Sequence, residues 1–227
     1  VEQLEVRQDG KKEYVVARVR REGRPAGEIL AELLPRLVAR LSFERSMRWN
    51  NTGIAFSRPL RWFVALLGAD VVPFEYAGVH AGRETRGIRP AGSPAIRIPD
   101  AASYEETLRT HHVVLPVEER RASIAAQAER LAGEAGGRVM SDAALLAEVA
   151  NLVEEPHAIL GSFDPSYLEL PAEALIAVMK KHQRYFPVFD AAGAMLPRFV
   201  VAANGAGLDD DLVRAGNEEV LRARFAD

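Results

Sequence analysis

Glycine and proline divide this sequence into short segments, and this punctuation constrains the fold more than any other feature. The 227 residues include 17 glycines and 13 prolines, and both residue types end or interrupt regular elements. Helix-like and hairpin-like segments follow one another without the regular strand–helix alternation of a parallel α/β sheet. The sequence therefore predicts an α+β fold of mixed helices and antiparallel hairpins.

Helical periodicity or helix-start residues mark six segments: 25–41, 103–111, 116–135, 141–156, 171–182 and the stretch that follows Asp209–Asp211. Pro35 lies inside the first segment and predicts a kink or a boundary there. Ser103 and Glu106 form the S-x-x-E spacing of a capping box.

Strand signals lie between these helices. We expect strands at 13–20 and 157–163, a hairpin in RPLRWFVALLG-AD-VVPFEYAGV from Arg58, and a second hairpin in YFPVFD-AAGAM-LPRFVVAAN. A buried helix is the alternative for the first apolar run of the Arg58 hairpin. Residues 82–99 carry three glycines and three prolines and predict a loop that reaches a short strand.

The domain organisation follows from this order of elements. We expect residues 1–100 to be mainly β with one helix and residues 101–227 to be α+β, with one continuous domain as the alternative. The chain begins at Val1 and ends in an apolar stripe without a C-cap. We therefore expect a fragment, residues 1–227, of a longer polypeptide.

Composition and missing motifs exclude several kinds of site. The absence of cysteine excludes disulfides, thiolate metal sites and a cysteine nucleophile, and it suits a reducing cytoplasm. No apolar run is long enough to span a bilayer. The phosphate-binding, dinucleotide-binding, zinc-protease and serine-hydrolase motifs are missing, and the five histidines are scattered without ligand spacing. We therefore expect no catalytic residue, no metal and no cofactor in this segment.

Positive charge is concentrated in the first part of the chain. Residues 1–62 carry a formal net charge of +5 and the remainder −8, which together give −3. SFERSMRWNN and FSRPLRW place arginines beside aromatic residues, a mixture suited to phosphate contact and base stacking. MKKHQRYFPVF forms a second basic cluster at a helix-to-strand corner, where the alternative is that the long side chains only cover apolar surface.

These segments carry a family resemblance. SMRW, FSRPLRWFVALLG, TRG at 85–87, the run from about Glu148 to Gly205 and GNEEVLRARFAD resemble the β subunit of the bacterial heterotetrameric glycyl-tRNA synthetase, in the family's order. The sequence departs from the usual family pattern at Ile88, where a histidine is usual, and at Glu155, where an aromatic residue is frequent.

The resemblance implies a cytoplasmic, ATP-dependent ligase that charges tRNA with glycine, of which this chain would be one segment. It implies that ATP and Mg are used by the complete enzyme through the α subunit, and that the β subunit contributes tRNA binding and assembly. Part of the fold should be similar to the B3/B4 module of the phenylalanyl-tRNA synthetase β chain. The expected partners are the α subunit and tRNA for glycine, and no membrane.

The residues that we predict to contact tRNA or a partner are Arg48, Trp49, Arg58, Arg61, Arg86, Lys180, Lys181, His182 and Arg184. Two alternatives remain open. One is an editing-like hydrolytic pocket acting on aminoacyl-tRNA, with His182 or His157 beside a carboxylate such as Glu154 or Asp164. The other is a purely structural interaction module.

Overall fold

The protein is described from a computed structural model, which covers residues 3–10, 12–19, 22–205 and 207–226. The chain divides into two compact units: unit 1 is Val1–Arg83 and unit 2 is Glu84–Asp227. Both units mix helix and strand, so the α+β class is confirmed, with six α-helices and several small sheets in the described ranges.

Unit 1 contains short strand pairs and one long helix. Its elements are β1 (Gln3–Asp9), β2 (Lys12–Arg18), α1 (Ala26–Ala39), β3 (Met47–Arg48), β4 (Ala55–Phe56), β5 (Phe63–Val64), β6 (Leu66–Leu67), β7 (Asp70–Val71), β8 (Glu75–Tyr76) and β9 (Val79–Gly82). The pairs β1–β2, β3–β4, β6–β7 and β8–β9 are antiparallel, whereas β5 pairs with β9 in parallel.

The predicted hairpin after Arg58 forms, and it is followed by a second one. Gly68 turns the chain between β6 and β7 with φ +60°, and Ala77 and Gly78, with φ +55° and +77°, turn it between β8 and β9. Two successive left-handed residues match the twist of a two-residue hairpin loop. The alternative of a buried helix over the first run is therefore wrong. Pro35 does not mark a boundary either, because α1 continues through it to Ala39.

Unit 2 contains the larger sheet and five of the helices. Its elements are β10 (Glu84–Arg86), β11 (Ala95–Arg97), α2 (Tyr104–Arg109), α3 (Val117–Glu134), β12 (Arg138–Val139), α4 (Ala143–Ala150), β13 (Pro156–Ser162), α5 (Ala172–Ala177), β14 (Phe186–Phe189), β15 (Met195–Asn204) and α6 (Asp210–Ala226). A 3₁₀ turn covers Pro165–Glu169, and α5 runs directly into a π-helical turn, Val178–Gln183.

Helices cover both faces of a four-stranded sheet of order β12-β14-β15-β13. Neighbouring residues of a strand point to opposite faces, and β15 shows this clearly. Val200 packs with Ile124 of α3 and Val149 of α4, whereas Phe199 packs with Met179 and with Leu221 of α6. The two apolar clusters therefore lie on either side of this sheet.

The outer edge of β13 is closed by side chains rather than by another strand. Gln127 of α3 accepts from the Ala158 N–H at 2.9 Å and donates to the Pro156 carbonyl at 3.0 Å. From α6, Arg214 Nε donates to the Leu160 carbonyl at 3.0 Å and Glu218 accepts from the Ser162 N–H at 2.7 Å. Since Pro156 has no N–H of its own, much of this edge is satisfied.

Three local predictions are wrong. The hydroxyl of Ser103 donates to the Asp100 carbonyl and makes no cap to α2, so the capping box does not form. The helix that starts after Asp142 ends at Ala150, well before Pro156. Residues 82–99 form the antiparallel hairpin β10–β11 rather than a loop before one strand.

Candidate functional site

The first cluster of predicted contact residues lies around the β3–β4 hairpin of unit 1. Met47 pairs with Phe56 and Arg48 with Ala55. The ring of Phe43 meets that of Phe56 edge-on, with centroids 4.6 Å apart, which fixes the base of the hairpin. We call residues 43–62 the arginine–aromatic segment.

The arginines of this segment are exposed. Arg48 uses its Nε to donate to the Gly53 carbonyl at 2.9 Å, which steadies the hairpin loop. No carboxylate of the described residues forms an ion pair with it. Arg58 and Arg61 make no ion pair or side-chain hydrogen bond with another described residue. Trp49 is half-buried and Trp62 is 42% exposed. Exposed guanidinium groups that alternate with aromatic residues along the chain are suited to phosphates and stacked bases.

Arg86 lies in unit 2, on β10 of the β10–β11 hairpin. Its backbone is paired with that of Ala95, and its side chain is exposed. In the part of the chain that the structure describes, no carboxylate is placed against it.

The second cluster surrounds the π-helical turn after α5. Buried Met179 and Tyr185 anchor the turn on either side. Arg184 ends it with φ +58°, a left-handed conformation that is unusual for a residue with a side chain. π-helical turns and strained backbone occur frequently at functional sites. We call residues 180–184 the basic corner.

Two cations of the basic corner are held by carboxylates at the two ends of α4. The ammonium group of Lys180 pairs with Asp142, the N-cap residue of α4. The Nε of Arg184 donates to Glu148 Oε1 at 2.8 Å. Bonds from the Leu145 N–H and from Lys180 hold the pKa of the Asp142 carboxyl below its usual range.

Lys181 and His182 differ from these two residues. Both side chains are exposed, and neither has a side-chain partner among the described residues. The sequence motif does not distinguish the four basic residues of the basic corner, but the structure separates two that pair with carboxylates, Lys180 and Arg184, from two that are exposed, Lys181 and His182. The carboxylate partners, Asp142 and Glu148, lie more than 30 residues earlier in the chain. The spacing of residues within the motif therefore does not show which of its basic residues are paired.

The histidines and carboxylates named for a hydrolytic alternative are not brought together. His157 Nε2 lies 2.9 Å from Asp210 Oδ1. Asp164 accepts from the Ser166 N–H, and Glu154 is bound by the side chain of Asn204. Each carboxylate therefore has a structural partner.

A different histidine borders a cavity. His112 Nδ1 lies 2.6 Å from Glu155 Oε1, and both line a cavity of about 330 Å³ in unit 2. The apolar wall comes from Ile88 and its neighbours Pro90 and Ala91. Sequence spacing missed this pair, since 43 residues separate its members and Glu155 had only the pattern of a surface charge.

The described residues hold no group of three or more histidine or acidic side chains with metal-binding geometry. Within the same ranges, no helix is both long and apolar enough to cross a membrane.

Comparison with known proteins identifies the family. A family model described as the glycyl-tRNA synthetase beta subunit matches residues 1–227. The chain is 43% identical over its full length to the glycine–tRNA ligase beta subunit of Syntrophotalea carbinolica and 44% identical to that of Moorella thermoacetica, covering 33% of each. It is also 46% identical to glycine–tRNA ligase, chloroplastic/mitochondrial 2, of Arabidopsis thaliana, of which it covers 21%.

The chain thus spans about one third of the length of the bacterial relatives and about one fifth of the plant one. The match of the family model extends over both structural units. The chain therefore belongs to the glycyl-tRNA synthetase beta subunit family.

Proposed function

We propose that this chain is a tRNA-contacting and assembly segment of the β subunit of a glycine–tRNA ligase. The observation that carries the proposal is the set of exposed arginines in the arginine–aromatic segment, Arg48, Arg58 and Arg61, none of which has a carboxylate partner in the described ranges. A packing role would not require uncompensated charge at the surface, whereas contact with phosphates does. ATP and Mg act in the α subunit, which performs the charging reaction in the cytoplasm.

The basic corner divides between two roles. Lys180 and Arg184 are structural cations that tie the corner to α4, and Lys181 and His182 face outward for RNA or for the α subunit. Arg86 belongs with the outward-facing group. The sheet of unit 2, with helices on both faces, supports a similarity to the B3/B4 module of the phenylalanyl-tRNA synthetase β chain.

The test is binding of tRNA for glycine by the enzyme assembled with its α subunit, measured over a series of salt concentrations. Each lost phosphate contact lowers the slope of log affinity against log salt by about 1. We expect the double variant R58A/R61A to bind more weakly, with a slope smaller by about 2. R130A is the matched control, because Arg130 is an exposed arginine paired with Glu134. An unchanged slope in R58A/R61A would exclude these two residues from the RNA contact.

The same assay separates the cations of the basic corner. K181A should weaken tRNA binding or association with the α subunit while the thermal stability stays unchanged. R184A should lower stability with little direct effect on the salt slope. The reverse pattern would contradict the division of roles.

A hydrolytic pocket acting on aminoacyl-tRNA is the second candidate, and the pair His112–Glu155 beside its cavity favours it. With the proton on Nδ1, His112 donates to Glu155 and Nε2 can accept a proton. Water would then attack the ester carbonyl carbon, Nε2 would take the water proton, and the ribose oxygen would leave with that proton. Release of a wrongly attached amino acid from tRNA, lost in H112A and E155Q, would support it, and background rates in the unaltered enzyme would exclude it.

A further inference from the structure

The cavity that His112 and Glu155 line, which we call the His112 cavity, is built from segments of unit 2 that are braced against one another. The Val114 N–H donates to the Glu154 carbonyl at 2.9 Å, and the Gly205 N–H donates to the Glu155 carbonyl at 2.8 Å. These bonds tie the segments on which the lining side chains lie. The cavity is therefore already formed without a ligand, which lowers the entropic cost of binding one.

The apolar wall of the His112 cavity comes from the tight loop 87–94 between β10 and β11. The Ser93 N–H donates to the Ile88 carbonyl at 3.0 Å and closes this loop. Ile88 is 7% exposed, and a Cβ atom added at Gly205 would lie only 2.8 Å from its Cδ1 atom. Glycine at position 205 therefore lets the wall approach the segment after β15.

The lining of the cavity combines apolar surface with a few polar groups. Ile88, Pro90 and Ala91 contribute the apolar surface, and His112 and Glu155 contribute the polar groups. The volume of about 330 Å³ is within the range of small-molecule sites, roughly 300–1,000 Å³. A cavity of this kind fits a ligand with an apolar ring and a small number of hydroxyl groups.

His112 is oriented by its hydrogen bond to Glu155. Nδ1 lies 2.6 Å from Glu155 Oε1, and the two side chains are 66% and 23% exposed. With the proton on Nδ1, which donates to the carboxylate, Nε2 is an acceptor. Nε2 makes no hydrogen bond with another described residue. It can therefore accept a hydrogen bond from a ligand hydroxyl.

Positive charge lies on the same loop as the apolar wall. Arg89 stands between the lining residues Ile88 and Pro90, and Arg86 precedes the loop at the end of β10. Both arginine side chains are exposed, and neither has a hydrogen bond or ion pair with another described residue. Guanidinium groups bind phosphate through paired, charge-assisted hydrogen bonds. The edge of the cavity therefore favours a ligand that carries a phosphate.

We propose that the His112 cavity is a nucleotide-binding site. The base packs on Ile88 and Pro90, a ribose hydroxyl donates to Nε2 of His112, and the 5′-phosphate lies against Arg89. A free nucleotide and the terminal nucleotide of an RNA strand share this chemistry. With an RNA strand, the preceding phosphate lies near Arg86. Binding does not require the hydrolytic reaction considered above, so the two can be tested separately.

Titration of the 227-residue chain with adenosine 5′-monophosphate (AMP) tests the proposal. We expect saturable binding by calorimetry, with NMR shifts of the Ile88 methyl groups and the His112 ring. A91W should abolish binding, because it fills the cavity from an exposed position. A191W is the matched control, since Ala191 is exposed in the turn after β14.

Circular dichroism establishes that both tryptophan variants are folded. An unaltered chain that does not bind AMP, or equal binding by A91W and A191W, would overturn the proposal. The salt-slope test of R58A/R61A uses other residues and another ligand. Failure of that test and failure of AMP binding are therefore separate results.

Comparison of AMP with adenosine tests the phosphate contact. AMP should bind about tenfold more tightly, because only AMP forms the charge-assisted hydrogen bond. R89A should remove this difference and leave adenosine binding unchanged. R97A is the matched control, since Arg97 is exposed on β11 of the same hairpin. Equal affinities for AMP and adenosine in the unaltered chain would contradict a nucleotide site.

The trinucleotide CpCpA, the 3′ end of tRNA, separates the two sources of the nucleotide. Binding of CpCpA more tightly than AMP, with a gain that R86A removes, would identify an RNA end as the ligand. Equal affinities for CpCpA and AMP would identify a free nucleotide. Failure of both to bind would exclude the site.

Discussion

The Nε atom of Arg184 donates to Oε1 of Glu148 at 2.8 Å, and this bond joins the corner after α5 to α4, 36 residues earlier in the chain. Together with the pair Lys180–Asp142, it attaches the π-helical turn to both ends of one helix. Two of the positive charges of this basic motif are therefore compensated by carboxylates in the folded protein. The contribution of these pairs to stability can be measured.

The Arg184–Glu148 pair should contribute modestly to stability. Its side chains are 41% and 48% exposed, and exposed ion pairs contribute about 0.2–1 kcal/mol. A double-mutant cycle with R184A, E148A and the combined variant, measured by denaturant unfolding, should give a coupling free energy in this range. A coupling near zero would mean that packing of Tyr185, rather than this pair, positions the corner.

Arg120 should be far more important for stability than its neighbour Arg121. The Arg120 guanidinium donates to three carbonyl oxygens, those of Val114, Leu115 and Ala150. R120M should lower the free energy of unfolding by about 2–3 kcal/mol, because it leaves partly buried acceptors without donors. R121M removes only an exposed pair with Glu118 and should change it by less than about 0.5 kcal/mol. Similar losses in the two variants would contradict this account.

Two glycines should respond in opposite directions to alanine. A Cβ atom at Gly161 would overlap the ring of Phe199, which is fully buried in the sheet. G161A should therefore destabilise the protein by about 1–3 kcal/mol.

Gly133 is the matched position. It lies in α3, and a Cβ atom added there would have no atom within 4 Å, so G133A should stabilise the protein by about 0.5–1 kcal/mol. Thermal unfolding of both variants should show a lower stability for G161A and a higher stability for G133A. Destabilisation by G133A would show that the surface around it is occupied.

Asp142 should make stability depend on pH in the acid range. Hydrogen bonds from the Leu145 N–H and the ion pair with Lys180 lower the pKa of this carboxyl in the folded state. Its stabilising contribution is therefore complete above the ordinary aspartate pKa of 3.8 and is lost as the pH falls through the lower folded-state pKa.

D142N keeps a capping oxygen but removes the charge. Unfolding free energies of the two proteins should differ at neutral pH and converge under acid conditions, and D142A should lose about a further 1 kcal/mol of capping. A difference that is constant with pH would show that the lowered pKa does not contribute.

Helices with periodic apolar residues and a hairpin with a glycine in its turn were predictable from sequence. α1 and α3 follow from apolar residues at helical spacing, and the β14–β15 hairpin follows from two apolar runs on either side of Gly193, whose φ is +88°. These elements are determined by local residues, so local reasoning suffices.

Features that depend on competition between distant or alternative partners were not predictable. Ser103 has the spacing of a capping residue, but the nearby Asp100 carbonyl takes its hydroxyl proton instead. At the candidate site, composition singled out Arg48, Arg58 and Arg61, and the structure shows that these side chains are exposed; their contact with RNA stays a prediction. Composition did not show that Glu148 neutralises Arg184 or that Glu155 meets His112, because each contact joins segments far apart in the chain.

The side chains along the outer edge of β13 have a consequence for aggregation. An open edge with free peptide groups can recruit a strand from any neighbouring polypeptide. Here Gln127, Arg214 and Glu218 already occupy positions where such a strand would bind. Substituting them together would convert a protected border into a template for fibre growth, even though none of the three belongs to the apolar core.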